Sequence, residues 1–401
     1  MAQAPARRVP TPVSTMGVQL PDDRYIPVRP DDLVDALVDD AASLSIGGDD
    51  LRALAEGLER VVSQEIEELR RGVDRAYDPH NPARDTLLVG GAEQLATRAA
   101  GLGPLVSYLL DKANYESLDD VQLDAALRAA NSQGVRIRFE PERLETIELW
   151  VRGRTTARRS VRSLRRPIRG QEHEVELYRR LAVVFRAKGE DELNLKLFRE
   201  IPVADVEALL PHAEVQMGAL DRLKVLGGSL GAMGGVLAKL FETTVAATQM
   251  LWLAVLALGG LSVRSFLGYR RAKRLRLSQM THHLYYQNVA NNAGVLDQLV
   301  ASIGNEELKE SLLAYLVVRR SGVTSTEELR AEVSRWLDQR FGVAVDFDAR
   351  DAVQTLERLG LWRDRGAWTL REPAEAIAEL QRAWQERRTA GAHLAAAARR
   401  E

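Results

Sequence analysis

The sequence predicts an α+β membrane protein: a helical N-terminal region, a small antiparallel α+β domain, a two-helix transmembrane hairpin and a C-terminal winged-helix-like domain. Three observations carry this expectation. Apolar residues recur at helical spacing before residue 134 and after residue 304, and at a spacing of two from Val135 onward. A glycine-rich apolar run, Val225–Ala238, is followed by Thr243–Val263, 21 residues without a charge. Six bases come next: Arg264, Arg270, Arg271, Lys273, Arg274 and Arg276.

A chain of 401 residues with 45% hydrophobic content can build two or three packed domains. Its net charge of −2 excludes a polyanion binder as a whole, so charge must act locally. The lack of cysteine excludes disulfides, thiolate metal sites and cysteine nucleophiles. Arginine outnumbers lysine 48 to 7, a bias that lowers the weight of any single arginine cluster.

Residues 1–23 are rich in Pro and Ala, lack the apolar core of a signal peptide and are expected to be a disordered tail. Residues 24–134 form the helical region. Asp31 or Asp32 caps a helix bearing Leu33, Ala36 and Leu37. A stripe of Leu51, Leu54, Leu58, Val61, Val62, Ile66, Leu69 and Val73 predicts a second helix, stopped by the breaker at Asp78–Pro82. Further helices are predicted near Leu102–Ala113 and Asp119–Ser132. In the α+β domain, 135–221, strands are predicted around Ile137, around Leu149, over Glu174–Lys188, over Leu193–Arg199 and over Glu214–Met217, with a short helix at Val203–Leu210. Arg152, Arg154, Arg158, Arg159, Arg162, Arg165, Arg166 and Arg169 read as an acid-free loop, suited to anionic lipid headgroups or RNA, or simply solvated.

The hairpin is assigned to 222–266. As a helix, Thr243–Val263 is about 31 Å long, which matches a hydrocarbon core of about 30 Å. Gly227, Gly231 and Gly235 repeat every four residues, so one face of the first span is nearly bare backbone, open to the second span or to another copy of the chain. The positive-inside rule places both termini in the cytoplasm. The expected location is the inner membrane, the expected partners are the bilayer and its anionic headgroups, and the six bases are the headgroup contacts.

Residues 267–303 read as one long basic and polar helix. On it, Asn288 and Asn291 fall on a helical stripe and Asn292 beside it, where apolar residues are expected, giving a polar seam. His282 and His283 are adjacent, point about 100° apart on a helix and cannot easily chelate one metal. Residues 304–388 follow the winged-helix order: helices Glu306–Val318 and Thr326–Phe341, a strand at Val343–Val345, helix Ala349–Leu359 and hairpin Leu361–Leu370. The third helix would expose Arg350, Asp351, Gln354, Glu357 and Arg358. Its acids repel phosphate, so a protein-interaction role is favoured over nucleic acid. Residues 389–401 are a frayed tail.

No Walker loop, G-x-S-x-G, H-E-x-x-H or G-x-G-x-x-G is present, so no catalytic residue, cofactor or metal site is assigned. Leu195–Pro211, Arg264–Tyr269 and Leu284–Leu296, with its Tyr285-Tyr286-Gln287-Asn288 and Asn291-Asn292, resemble the transmembrane protein 143 family. Arg24-Tyr25-Ile26-Pro27-Val28 and the stretch Phe347–Leu361 also fit. The resemblance implies an integral membrane protein without an assigned activity. The leading expectation is a non-enzymatic, self-associating membrane scaffold. Alternatives are a membrane-tethered nucleic-acid regulator and a lipid-handling protein or enzyme using the polar seam.

Overall fold

The computed structural model describes residues 23–44, 46–81, 85, 101–118, 136–138, 143–163, 166–190, 192–203, 206, 209, 214–216 and 288–397. The chain divides into two compact units. The larger comprises Met1–Ser117, Thr146–Glu200 and Ala290–Glu401, and the smaller Leu118–Glu145 and Ile201–Val289.

The larger unit begins with α1 (Pro30–Asp39), α2 (Gly48–Tyr77) and α3 (Leu102–Lys112). Proline at the first turn presets φ for α1, and Asp31 and Asp32 lie at the positive end of its dipole. Neither aspartate is the cap. Arg29 holds that position, and its guanidinium binds Asp32 at 2.8 and 3.0 Å. The stripe on α2 is buried at Leu51, Leu54, Leu58, Val61, Val62 and Val73, as its 3.6-residue period requires.

A five-stranded sheet is built from β1 (Glu116–Ser117), β3 (Leu144–Ser163), β4 (Arg166–Ala187), β5 (Asn194–Pro202) and β7 (Asn288–Asn291), in the order β1-β3-β4-β5-β7. Strand β1 runs antiparallel to β3, with Glu116 opposite Val151. Strand β4 is central, and its Leu181-Ala182-Val183-Val184-Phe185 is buried without alternation, the pattern of a strand covered on both faces. In the smaller unit β2 (Arg136–Arg138) pairs antiparallel with β6 (Glu214–Gln216).

The chain continues through α4 (Ala293–Ser321), α5 (Thr326–Phe341), α6 (Ala349–Arg358), the hairpin β8 (Trp362–Asp364) and β9 (Thr369–Leu370), and α7 (Pro373–Ala397). Helix α4 is the axis of the helical layer. Leu312, Leu313, Ala314, Tyr315 and Leu316 are all at most 1% exposed, so it is covered on every side. One hydrophobic core joins Leu33 and Leu37 of α1, Leu54 and Leu58 of α2, Leu312 and Tyr315 of α4, Leu329 and Val333 of α5, Leu356 of α6 and Leu380 of α7.

Gly304 of α4 lies against Ile66 of α2, where an added Cβ would stand 2.9 Å from Ile66 Cγ1. Gly304→Leu is therefore expected to cost about 1–2 kcal/mol. Overpacking of about 1–3 kcal/mol is partly offset by the better helix propensity of leucine. Urea denaturation of the full chain measures it, and an unchanged midpoint would refute close packing at this crossing.

Several expectations are corrected here. Among the described residues no helix is long and apolar enough to cross a membrane. Helices α2, α4 and α7 have the length, but charged residues recur along each of them. The hairpin expected over 222–266 lies outside the described residues. The described residues form an α+β chain with a helical layer and a five-stranded sheet in place of the expected membrane fold class, and no spanning helix among them supports the expected bilayer partners, inner-membrane location or membrane-scaffold function. The single helix expected over 267–303 is, in its described part, strand β7 followed by α4, and α4 runs straight through the boundary expected at residue 304. The expected tail is not a separate winged-helix-like domain. Its helices Thr326–Phe341 and Ala349–Arg358 and its hairpin lie in the expected order, but residues 343–345 form no strand and these helices share one core with α1 and α2. The arginine-rich loop is, in its described part, two strands, β3 and β4.

Candidate functional site

The segment Asp23–Val28 straps the larger unit together. Asp346 N–H donates to the Asp23 carbonyl at 3.1 Å, and Asp23 Oδ1 accepts from Tyr25 N–H at 3.1 Å. Ile26 N–H donates to Glu306 Oε2 at 3.0 Å. Lys309 Nζ donates to the carbonyls of Ile26 at 2.6 Å and Val28 at 3.2 Å, and pairs with Glu306 Oε1 at 2.5 Å. Two carbonyl acceptors and one carboxylate thus surround the ammonium, although the side chain is 2% exposed. Arg152 of β3 stacks on the rings of Tyr25 (4.1 Å) and Tyr115 (4.7 Å) and donates to Ser302 Oγ at 2.8 Å and the Ala113 carbonyl at 3.1 Å. This arginine is half-buried on a strand, not part of a loop.

Beside the strap is a cleft of about 470 Å³. Helix α2 contributes Glu65, Ile66 and Leu69; α3 contributes Tyr108 and Lys112; α4 contributes Ile303, Glu306, Glu307 and Glu310; α6 contributes Asp351, Gln354, Thr355 and Arg358. The spacing follows from helical geometry. Tyr108 and Lys112 are four apart, Ile303, Glu306 and Glu310 are three and four apart, and Asp351, Thr355 and Arg358 likewise share one face.

Five carboxyl groups line this cleft, and four have a cation. Asp351 pairs with Lys112, Glu307 with Arg358, Glu65 with Arg358 and with Arg387 of α7, and Glu306 with Lys309. Thr355 Oγ1 also donates to Glu307 at 3.2 Å. Glu310 is the exception. It is 4% exposed, and its Oε1 accepts from Asn114 Nδ2 at 3.2 Å; no cation among the described residues pairs with it. Burial holds its carboxyl well above the ordinary carboxylate range, and the negative charges of Glu306 and Asp351 push the same way. Burial also raises Glu306 and Glu307, against the pull of Lys309 and Arg358 respectively.

The site is not where sequence reasoning placed it. Gly227, Gly231, Gly235, Arg264, Arg270, Arg271, Lys273, Arg274, Arg276, Tyr285, Tyr286 and Gln287 lie outside the described residues. Asn288 and Asn291 belong to β7, not to a helical seam. Asn292, at φ +48°, exchanges two bonds with Leu195: its N–H donates to the Leu195 carbonyl at 2.8 Å, and its Oδ1 accepts from Leu195 N–H at 2.9 Å. That is a structural joint between β5 and the start of α4. Of the face expected to be exposed on α6, Arg350, Gln354, Glu357 and Arg358 are exposed; Asp351, Gln354 and Arg358 line the cleft, where Asp351 and Arg358 are tied to Lys112, Glu65 and Glu307. A signal for the cleft was present. The uncharged run Ser311–Val318 implies a helix buried on all sides, so the charges one turn earlier, Glu306, Lys309 and Glu310, had to be buried too.

Residues 166–294 match a family described as "Protein of unknown function (DUF3754)". This match replaces the resemblance to the transmembrane protein 143 family. It spans a minority of the chain, covering β4, β5, β6 and β7, and none of the cleft residues falls within it. No solved structure matches the chain.

Proposed function

We propose that the larger unit is a binding module whose cleft takes a positively charged ligand. One observation carries the reading: Glu310, buried on the wall of an accessible cleft, has no counter-ion among the described residues, while every other carboxyl group there has one. A carboxyl group in such a setting is stabilised in its charged form by an arriving cation. Binding is favoured over catalysis because four of the five carboxyl groups, and the lining cations Lys112 and Arg358, are already engaged in ion pairs.

The test is thermal unfolding of the full chain with added ammonium, guanidinium or divalent metal salts, each matched in ionic strength by sodium chloride. A ligand at a hundred times its Kd is expected to stabilise by about 2.7 kcal/mol. Equal melting temperatures in all salts would refute a cation site.

A further inference from the structure

We infer that the cleft selects a primary alkylammonium group, which pairs with Glu310 in exchange for the carboxyl proton while its stem lies against Tyr108. The inference rests on the cation-binding reading and names its ligand class and its proton stoichiometry.

The chemistry of the wall points to this class. Glu310 Oε1 is taken by Asn114, leaving one carboxyl oxygen for a ligand. A guanidinium would forgo its bidentate geometry at a single oxygen, whereas an ammonium is a point charge satisfied by one. Among the described residues no three His, Asp or Glu side chains are grouped to hold a metal ion. The cleft also carries an apolar surface suited to a hydrocarbon stem. Ile66, Leu69 and Ile303 line it, and Tyr108 is 50% exposed there, the large apolar side chain left most open among the described residues. An exposed aromatic ring beside a cleft of carboxylates is a combination that recognises organic cations.

The exchange balances as R–NH3⁺ plus the neutral Glu310 acid giving the ion pair plus one proton to solvent. The groups facing Glu310 account for its neutral form. Glu306 on its own helix, Asp351 on α6 and Asp348 at the start of α6 all oppose ionisation, while Asn114 favours it. The nearby bases are already engaged, Lys309 by Glu306 and Lys112 by Asp351. Among the described residues no further cation faces Glu310, so an arriving cation adds the missing charge and affinity rises with pH between the ordinary carboxylate range and the elevated Glu310 value.

The experiment is isothermal titration of the full chain with n-butylammonium at several pH values from 5 to 8, in two buffers of different ionisation enthalpy and at matched ionic strength. The expected result is net proton release on amine binding, up to one per amine, that dies away as pH rises through the raised Glu310 value. Glu310→Gln keeps an acceptor for Asn114, should abolish the release and should weaken binding at least tenfold; Tyr108→Ala should weaken it several-fold and keep the release. Nα-acetyl-lysine amide as a second titrant distinguishes a free amine from a lysine side chain of a peptide, and binding of either supports the class. Butylammonium binding without buffer-dependent heat overturns the inference on the wild-type chain alone, whatever the variants do. Tighter binding of guanidinium or calcium than of butylammonium also overturns it while leaving a cation site in place. Failure of every cation to bind removes both readings.

Discussion

Lys309→Met is expected to destabilise the protein by about 3–5 kcal/mol, the usual cost of removing one partner from a buried ion pair. Methionine keeps most of the stem, so the packing loss is small and the effect is electrostatic. Glu306, 2% exposed, loses its cation, and the carbonyls of Ile26 and Val28 lose a donor. The double variant Glu306→Gln with Lys309→Met removes the stranded charge and should be less destabilised than the single variant. The single variant should also acquire a pH dependence. Without Lys309, burial raises the Glu306 carboxyl further above its ordinary 4.5, so the native state holds a proton that the unfolded state has released. Stability then falls as pH rises from 4.5 through the elevated value, and part of the loss is recovered in acid. Urea denaturation across pH measures both effects; a loss under about 1 kcal/mol, typical of surface pairs, would refute the buried-pair reading.

Gly153→Val should cost about 2–4 kcal/mol, from two separable sources. Gly153 sits at φ +70°, a conformation that β-branched residues avoid. A Cβ at this position would also lie 2.4 Å from Asp23 Oδ2 and 3.0 Å from Arg179 Cδ. Asp23 cannot retreat freely, because it is 3% exposed and bonded to Tyr25 and Asp346. The side chain would therefore push the strap off the sheet. Adding Asp23→Ala relieves the contact but not the backbone strain, so the double variant apportions the two. Equal stability of Gly153→Val and wild type would show that the strap does not need this close approach.

Much of the secondary structure was legible from periodicity. The stripe on α2, the helix at residues 102–112 and the strands around Leu149, Val183 and Leu197 lie where alternation or 3.6-residue spacing put them. The strand at Asn288–Asn291 was not legible, because amides at helical spacing mimic a polar helix face, and its pairing in the sheet with β5 is a long-range choice. Domain boundaries failed for a related reason. Periodicity shows that a helix has an apolar face without saying what covers it, and α4 is covered by helices from both ends of the chain.

The candidate site shows the same division. Composition alone excluded cysteine chemistry, and the uncharged run beginning at Ser311 already implied a helix with no solvent face. Which carboxyl would lack a cation could not be read from the chain, since Lys112, Arg358 and Arg387 lie far in sequence from some of the acids they neutralise. Ion pairing depends on distance in space, and folding alone brings α2, α3, α4 and α6 around one cleft. Residue spacing determined the helices and their buried faces; their packing decided that Glu310 would be the acid left over.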